Sequence, residues 1–388
     1  MKTRLAIAMV LCLSLALFIS TNASAACTSS CTNCTKFYFI TNLSYNPELD
    51  PTTSFNPALT IDQLKPFSDI RLDSVNFNGK TTHGFMFVTG ANIISNPFDP
   101  NTGAIDPNTG KPREPWYVIN TGRGHNTTFD PYITQGPTSG SNGATNSDLV
   151  AAYGNRNLTS INYNRERAAG ELAIFEISFP YPTDTFYIWE RGMDSDIHLD
   201  ILDDSGNVIA HTDICRGDVS LGTGEYQFAN YSIYTDTGFN WAIGSPQRCG
   251  TIGLHLNGEL SKTLRFTISH PEDFGPDLKV MAAPISPASA TVLLKEAGDI
   301  IKAVEIDCFK NNNRRVTLLS KLNVAIEMIM KGNYHGAAQK LDQDILKKIG
   351  TCEQPSNSDW ITCCPSEADN NQIVTVANLI SEAIELLE

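Results

Sequence analysis

The chain reads as mainly β with a small all-α domain at its C-terminus: an antiparallel β-sandwich or jelly roll followed by a four-helix bundle. Three observations predict this. Apolar and polar residues alternate with period two in stretches from Lys36 to about Ile285. Pro284 and Pro287, among Ala and Ser, then mark a linker. Beyond it, apolar residues recur at helical spacing to the end. The expected organisation is a leader over 1–25, a Cys-rich segment over 26–35, a β-domain over 36–285 and a helical domain over 286–388.

The leader comes first. Lys2 and Arg4 give a positive start, Leu5 to Ile19 is apolar and uncharged, and Ala23-Ser24-Ala25 offers small residues for cleavage. This is the layout of a secretory signal peptide, with Ala26 beginning the mature chain. The run is shorter than the about 20 residues that a permanent span needs, and no later stretch is apolar enough. The expected location is therefore extracellular or on the cell surface, with no transmembrane span in the mature chain. Losing Lys2 and Arg4 takes the net charge from −14 to −16. An acidic surface repels phosphate backbones and excludes nucleic acid as a natural partner. Divalent cations fit better, although acidity also serves plain solubility.

Of the ten cysteines, Cys12 leaves with the leader. In an oxidising compartment the rest are expected to pair. The simplest scheme joins Cys215 to Cys249 and ties each of Cys363 and Cys364 to Cys308 or Cys352, since adjacent cysteines bond each other only under strain. Cys27, Cys31 and Cys34 then hold a free or intermolecular thiol. Their spacing lacks the fourth ligand that zinc or a cluster would want. Cys27 is alternatively a lipidated first residue, but Ser24 stands where such leaders carry Leu.

In the β-domain, residues 70–77, 172–179, 196–202 and 264–269 alternate as strands with one buried face. Asp203-Asp-Ser-Gly-Asn between two of them predicts a hairpin turn, with Gly206 at positive φ. Asp99-Pro-Asn-Thr-Gly and Asp106-Pro-Asn-Thr-Gly repeat a turn sequence. Their acids suggest a calcium loop less than a plain turn, because no acidic residue closes the loop at the required distance. Residues 135–146 are rich in Gly, Ser, Thr and Asn and predict a surface loop. No helical period shows in this region.

The helical stripes are Leu293, Ala297, Ile300, Ile301 and Val304; then Leu318, Leu319, Leu322, Ile326, Ile329 and Met330; then Tyr334, Ala337, Ala338, Leu341, Ile345 and Ile349, after the Gly332-Asn333 break; and finally Ile373, Val376, Ala377, Ile380, Ala383, Ile384 and Leu387. Ser366 with Asp369 predicts the cap of the last helix. These aliphatic faces show packing as their only role.

Candidate chemistry is sparse. His125 lies in a Gly-flanked loop without a nucleophile nearby, which reads as a surface histidine. Glu190, Asp194, Asp196, Asp200, Asp203 and Asp204 crowd one stretch. Paired carboxylates can cleave glycosides, but alternation with Ile and Leu marks a solvated strand face. Glu190, Asp194 and Asp196 meeting at a strand end would be candidate Ca²⁺ ligands, which makes Ca²⁺ the one cofactor the sequence suggests. Trp116, Trp189 and Trp241 suit either a sugar-stacking platform or, more commonly, a core.

The middle of the chain carries an ordered string: Tyr153-Gly-Asn-Arg-Asn-Leu-Thr-Ser-Ile-Asn, Ala169-Gly-Glu-Leu-Ala-Ile-Phe-Glu-Ile-Ser-Phe, Trp189-Glu-Arg-Gly-Met-Asp-Ser-Asp-Ile, Leu202-Asp-Asp-Ser-Gly-Asn-Val-Ile, Gly238-Phe-Asn-Trp, Gly244-Ser-Pro-Gln and Phe274-Gly-Pro-Asp-Leu-Lys-Val. Over about residues 70–282 it resembles the exosortase-dependent surface proteins of bacteria. The resemblance implies a β-rich exported domain without an established enzyme activity, displayed at the cell surface or in matrix. That family carries a Pro-Glu-Pro sorting tail. Here the chain runs to Glu385-Leu-Leu-Glu, and the helical module stands in the tail's place, similar to small bundles at the ends of bacterial secreted proteins. Export is implied; exosortase sorting is not. The expected function is binding or assembly with cell-surface or matrix components, polysaccharide or copies of itself. The alternative is a carbohydrate-binding or glycoside-cleaving secreted protein.

Overall fold

The computed structural model describes residues 27–44, 70–99, 116–123, 138–139, 142–164, 172–216, 224–235, 247–268, 276–349, 360–361, 364 and 366–388. The turn repeat beyond Asp99, His125, Trp241, Cys352 and Cys363 lie outside these residues, and the side chain of Trp116 is likewise undescribed.

Two antiparallel sheets meet through their apolar faces. The six-stranded sheet runs in the order β1 (Ser30–Thr32), β14 (Val208–Ile214), β13 (Ile197–Leu202), β17 (Ser261–Ile268), β11 (Ala173–Thr183) and β6 (Gly90–Ser95). The seven-stranded sheet runs β15 (Gln227–Ile233), β16 (Gln247–Leu256), β12 (Thr185–Arg191), β18 (Leu278–Ala282), β10 (Ile161–Asn164) and β9 (Ile119–Gly122), with β2 (Cys34–Phe37) also on β16. Phe175, Ile177, Leu199, Leu264 and Phe266 of the first sheet share one core with Phe186, Ile188, Ile252, Leu254 and Val280 of the second. Each such side chain stabilises the fold by about 2 kcal/mol relative to exposure. The Asp203 turn joins β13 to β14 as expected: Gly206 has φ +83°, and Asp203 Oδ1 accepts the N–H groups of Ser205 and Asn207 at 2.8 Å each.

The layering goes beyond the simple sandwich expected. The alternating strands β11, β13 and β17 do bury one face, but the seven-stranded sheet, which that pattern did not cover, is a middle layer. A small sheet of β3 (Ile40–Ser44), β4 (Arg71–Phe77) and β5 (Lys80–Thr82) contributes Leu72 and Val75 to a second core on its far side, with Phe39, Phe85, Tyr187, Trp189, Cys249 and Met281. Hence β18 is buried at every position and β12 at its five central ones. A further short pair, β7 (Phe98–Asp99) and β8 (Trp116–Tyr117), stands apart.

A helix also interrupts the β-region where none was expected, α1 (Asn146–Tyr153). Its signal was present in the sequence. Thr145 accepts from Asp148 N–H while Asp148 takes the Thr145 N–H, a reciprocal cap ahead of Leu149 and Ala152.

The C-terminal residues form α2 (Pro287–Ala303), α3 (Asn312–Met330), α4 (Tyr334–Lys340) and α5 (Glu367–Glu385). The short α4 passes through a π turn over Leu341–Ile345 into a 3₁₀ turn over Leu346–Lys348. Ser286, Asn311, Asn333 and Ser366 cap the four starts with their side chains, the last receiving Asp369 N–H at 3.0 Å. The predicted stripes supply the core: Leu293, Ala297, Ile301, Leu318, Leu322, Ile329, Leu341, Val376 and Ile380. Met330, at 71% exposure, does not join it, because the helix ends there and turns away at Gly332. Among the described residues no helix is long and apolar enough to cross a membrane.

Candidate functional site

The stretch Trp189–Asp196 links the end of β12 to β13, and it holds the acids that suggested calcium. The structure does not gather all three at one point. Glu190 is wholly buried; Oε2 takes the Met193 N–H and Oε1 the Asp277 N–H at 3.4 Å. Asp196 Oδ1 accepts the Arg216 N–H at 2.8 Å, and Arg216 Nη1 donates to the Asp194 carbonyl at 2.9 Å. Gly192 and Met193, at φ +114° and +60°, make the tight turn that folds the stretch back.

Glu190, Asp194 and Asp196 therefore do not present three ligand oxygens to one point. Among the described residues the sole trio of His, Cys, Asp or Glu ligand atoms lying within 4.8 Å of one another is Cys27, Asp196 and Cys215. Its two sulfurs are spent in a disulfide. The three suggested calcium ligands thus form no such trio, and backbone N–H groups already occupy oxygens of Glu190 and Asp196.

What these residues do build is a buried acid cluster. Asp277, at the mouth of β18, pairs through Oδ2 with Arg191 Nε at 3.1 Å and Nη2 at 2.8 Å. Burial pushes the Glu190 carboxyl well above its usual range, helped by Asp194 and Asp277. Burial likewise raises Asp277 to about 7, against the pull of Arg191. Burial also raises Asp194. Arg191 and Arg216 pull against these shifts, Arg191 through its pairing with Asp277. Asp277 Oδ1 and Asn164 Oδ1 are buried without hydrogen-bond partners among the described residues.

A second buried polar group lies two residues further along, within β18. Lys279 Nζ donates to Ala152 O at 2.5 Å, Asn155 Oδ1 at 3.1 Å and Ser160 O at 3.1 Å. Its neighbour Arg156 binds Glu296 of α2 and the carbonyls of Leu72, Asp73 and His83. Three of the sequence stretches quoted above, those beginning at Tyr153, Trp189 and Phe274, thus converge around β12 and β18. Sequence inspection missed Lys279, Asn155, Arg156 and Asp277. The signal that could have found them is a lone Lys and Asp on a strand otherwise apolar.

The outer face of the six-stranded sheet carries an acid–histidine ladder. His198 Nδ1 meets Asp213 Oδ1 at 2.6 Å, and His211 meets Asp200 at 2.8 Å and Asp213 at 3.1 Å. Partial burial pulls His211 down, but hydrogen bonds to Asp200 and Asp213 outweigh it and raise its pKa. Asp200 so belongs to a solvated strand face, as its alternation predicted. Trp189 supplies no sugar platform: it is buried, with Nε1 donating to Thr41 Oγ1 at 3.2 Å.

The disulfides depart from the expected scheme. Cys27 bonds Cys215, Cys31 bonds Cys34 and Cys308 bonds Cys364, while Cys249 is a buried free thiol. Cys215 and Cys249 cannot meet, because Cys249 faces the second core from β16 while Cys215 follows β14 in the other sheet. Pairing of β1 with β14 brings Cys27 to Cys215 instead, at a Cα separation of 5.6 Å. Cys27, Cys31 and Cys34 are consequently neither free nor intermolecular. The Cys308–Cys364 bond matches one of the two alternatives foreseen for Cys364. In comparisons with known proteins, the chain matches no family model and no curated sequence.

Proposed function

We propose that this is a secreted cell-surface or extracellular-matrix protein, a β-sandwich carrying a helical bundle, that acts by binding or assembly. The observation that carries the reading is the disulfide set. It ties Cys27, next to the expected cleavage point, to Cys215 across 188 residues, and joins Cys308 to Cys364. Such bonds persist in oxidising compartments. The apolar leader supports the same route, and the ordered motifs resemble exosortase-dependent surface proteins. The partners proposed are surface or matrix components, polysaccharide or further copies of the chain.

The test is expression in a bacterial host with fractionation. The expected product starts at Ala26, lies outside the cytoplasm and carries the Cys27–Cys215 bond. Uncleaved protein kept reduced in the cytoplasm overturns the reading. A polysaccharide hydrolysis screen addresses catalysis: turnover that vanishes in Asp194→Ala or Asp196→Ala would replace binding with glycoside cleavage. Glycan-array binding would narrow the partner to carbohydrate.

A further inference from the structure

Lys279 poses a chemical problem that the fold solves in an unusual way. It has no solvent exposure and sits in mid-strand opposite Trp189. All three of its acceptors are neutral oxygens, and among the described residues no carboxylate pairs with it. A buried ammonium without a counter-charge is costly, so the amine is driven toward its neutral, nucleophilic form. Burial indeed takes its pKa far below the ordinary lysine value.

One of the acceptors is an electrophile. The Asn155 carboxamide is held at both ends: Nδ2 donates to Ala151 O at 2.8 Å, and Oδ1 accepts the Asn157 N–H at 2.9 Å. The amine touches the same Oδ1 at 3.1 Å, so the carboxamide carbon is the next atom along. The Asn157 N–H is placed to hold negative charge on Oδ1. The site is also shielded from bulk solvent, with Asn155 7% exposed and Asn157 and Ser160 fully buried.

We propose that Lys279 and Asn155 become joined by an intramolecular amide bond. The neutral amine attacks Cγ, forming the Nζ–Cγ bond and moving an electron pair onto Oδ1. One Nζ proton passes to Nδ2. The Cγ–Nδ2 bond then breaks, ammonia leaves and the carbonyl re-forms. Amine and carboxamide give amide and ammonia, with nothing oxidised or reduced and no co-reactant. Ser160 Oγ and Tyr153 Oη are buried without hydrogen-bond partners among the described residues, and they lie on the two segments flanking the amine. They are the hydroxyls available to relay the proton. The reaction occurs once per molecule, so it needs no turnover. The product would tie β18 covalently to the segment behind α1, a cross-link that reductants cannot open.

Mass spectrometry of the purified, reduced wild-type protein tests this without any variant. The expected result is an intact mass lower than the sequence mass by one ammonia, together with a branched proteolytic peptide joining the Asn155 and Lys279 fragments. Asn155→Asp should give the same branched peptide with loss of water instead. Linear fragments carrying an intact Asn155 amide and a free Lys279 overturn the proposal, leaving a hydrogen-bonded clamp. Loss of ammonia without a branched peptide, as from a cyclic imide at Asn155, overturns it as well.

Discussion

Arg156 and Glu296 form an ion pair between the β-region and the first C-terminal helix, Nε to Oε1 at 2.5 Å, with side chains 10% and 17% exposed. Arg156 also donates from Nη2 to His83 O at 2.6 Å. Glu382 of α5 completes the junction by accepting the N–H groups of His83 at 2.9 Å and Gly84 at 2.5 Å. The helices are thus fastened to the β-region through charge as well as apolar contact. Glu296→Ala should destabilise by about 3 kcal/mol, since it strands a mostly buried guanidinium. Chemical denaturation measures the loss, and limited proteolysis should show new cleavage near residue 285. Unchanged cleavage would mean that the junction holds without the Arg156–Glu296 pair.

Glu382 also sets a pH dependence. Burial raises its carboxyl to about 7, against the hydrogen bonds from Gly84 and His83. The folded state therefore holds this proton more tightly than the unfolded state. The associated stability is complete below the unfolded value near 4.5 and is lost as pH rises through about 7. Asp277 acts in the same direction. Over its own window Glu382 is worth about 3 kcal/mol and Asp277 about 4 kcal/mol. His211, raised by its two aspartates, adds a smaller solvent-screened share that is lost as pH rises above its ordinary value. These groups act to raise the melting temperature at pH 5 relative to pH 8, while Lys279, held below the ordinary lysine value by burial, acts in the opposite direction. Glu382→Gln should reduce that difference, because the amide oxygen still accepts both N–H groups without ionising. An equal slope in the variant would remove Glu382 as the source.

Cys249 should be silent toward alkylating reagents in the native protein and react only on unfolding. It is fully buried, and burial pushes its thiol up to about 12. Cys215→Ala should expose a reactive Cys27, whereas Cys249→Ala should leave the Cys27–Cys215 bond intact. Peptide mapping under non-reducing conditions distinguishes these; a Cys215–Cys249 peptide would contradict the fold.

Calcium should leave the melting curve unchanged, since Glu190 and Asp196 are committed to backbone N–H groups. A rise between chelator and millimolar Ca²⁺ would show that a cation displaces those bonds.

Reduction should loosen the helical region. Opening the Cys308–Cys364 loop, 56 residues apart, removes about 4 kcal/mol in the chain-entropy account. Hydrogen exchange in α5 should then quicken before exchange in β12 or β18. Equal protection with and without reductant would count against the bond as a clamp.

The sequence by itself determined the local structure: period-two strands, the Asp203 hairpin, the four C-terminal helical stripes and the Ser366 cap. These are legible because burial of one face imposes a period, and caps and turns need particular side chains within a few residues. Only the tertiary structure decided which sheet became the middle layer, and hence why Trp189 and Cys249 are core residues. It also decided that Cys215 bonds Cys27, and that Glu190, Asp277, Lys279 and Asn155 gather around two adjacent strands. Those outcomes depend on contacts between residues far apart in the chain, such as Lys279 with Asn155 and Arg156 with Glu296. No local period records such contacts. A buried charge is tolerated only where distant segments bring it partners, so its position in the sequence says little until the fold supplies them.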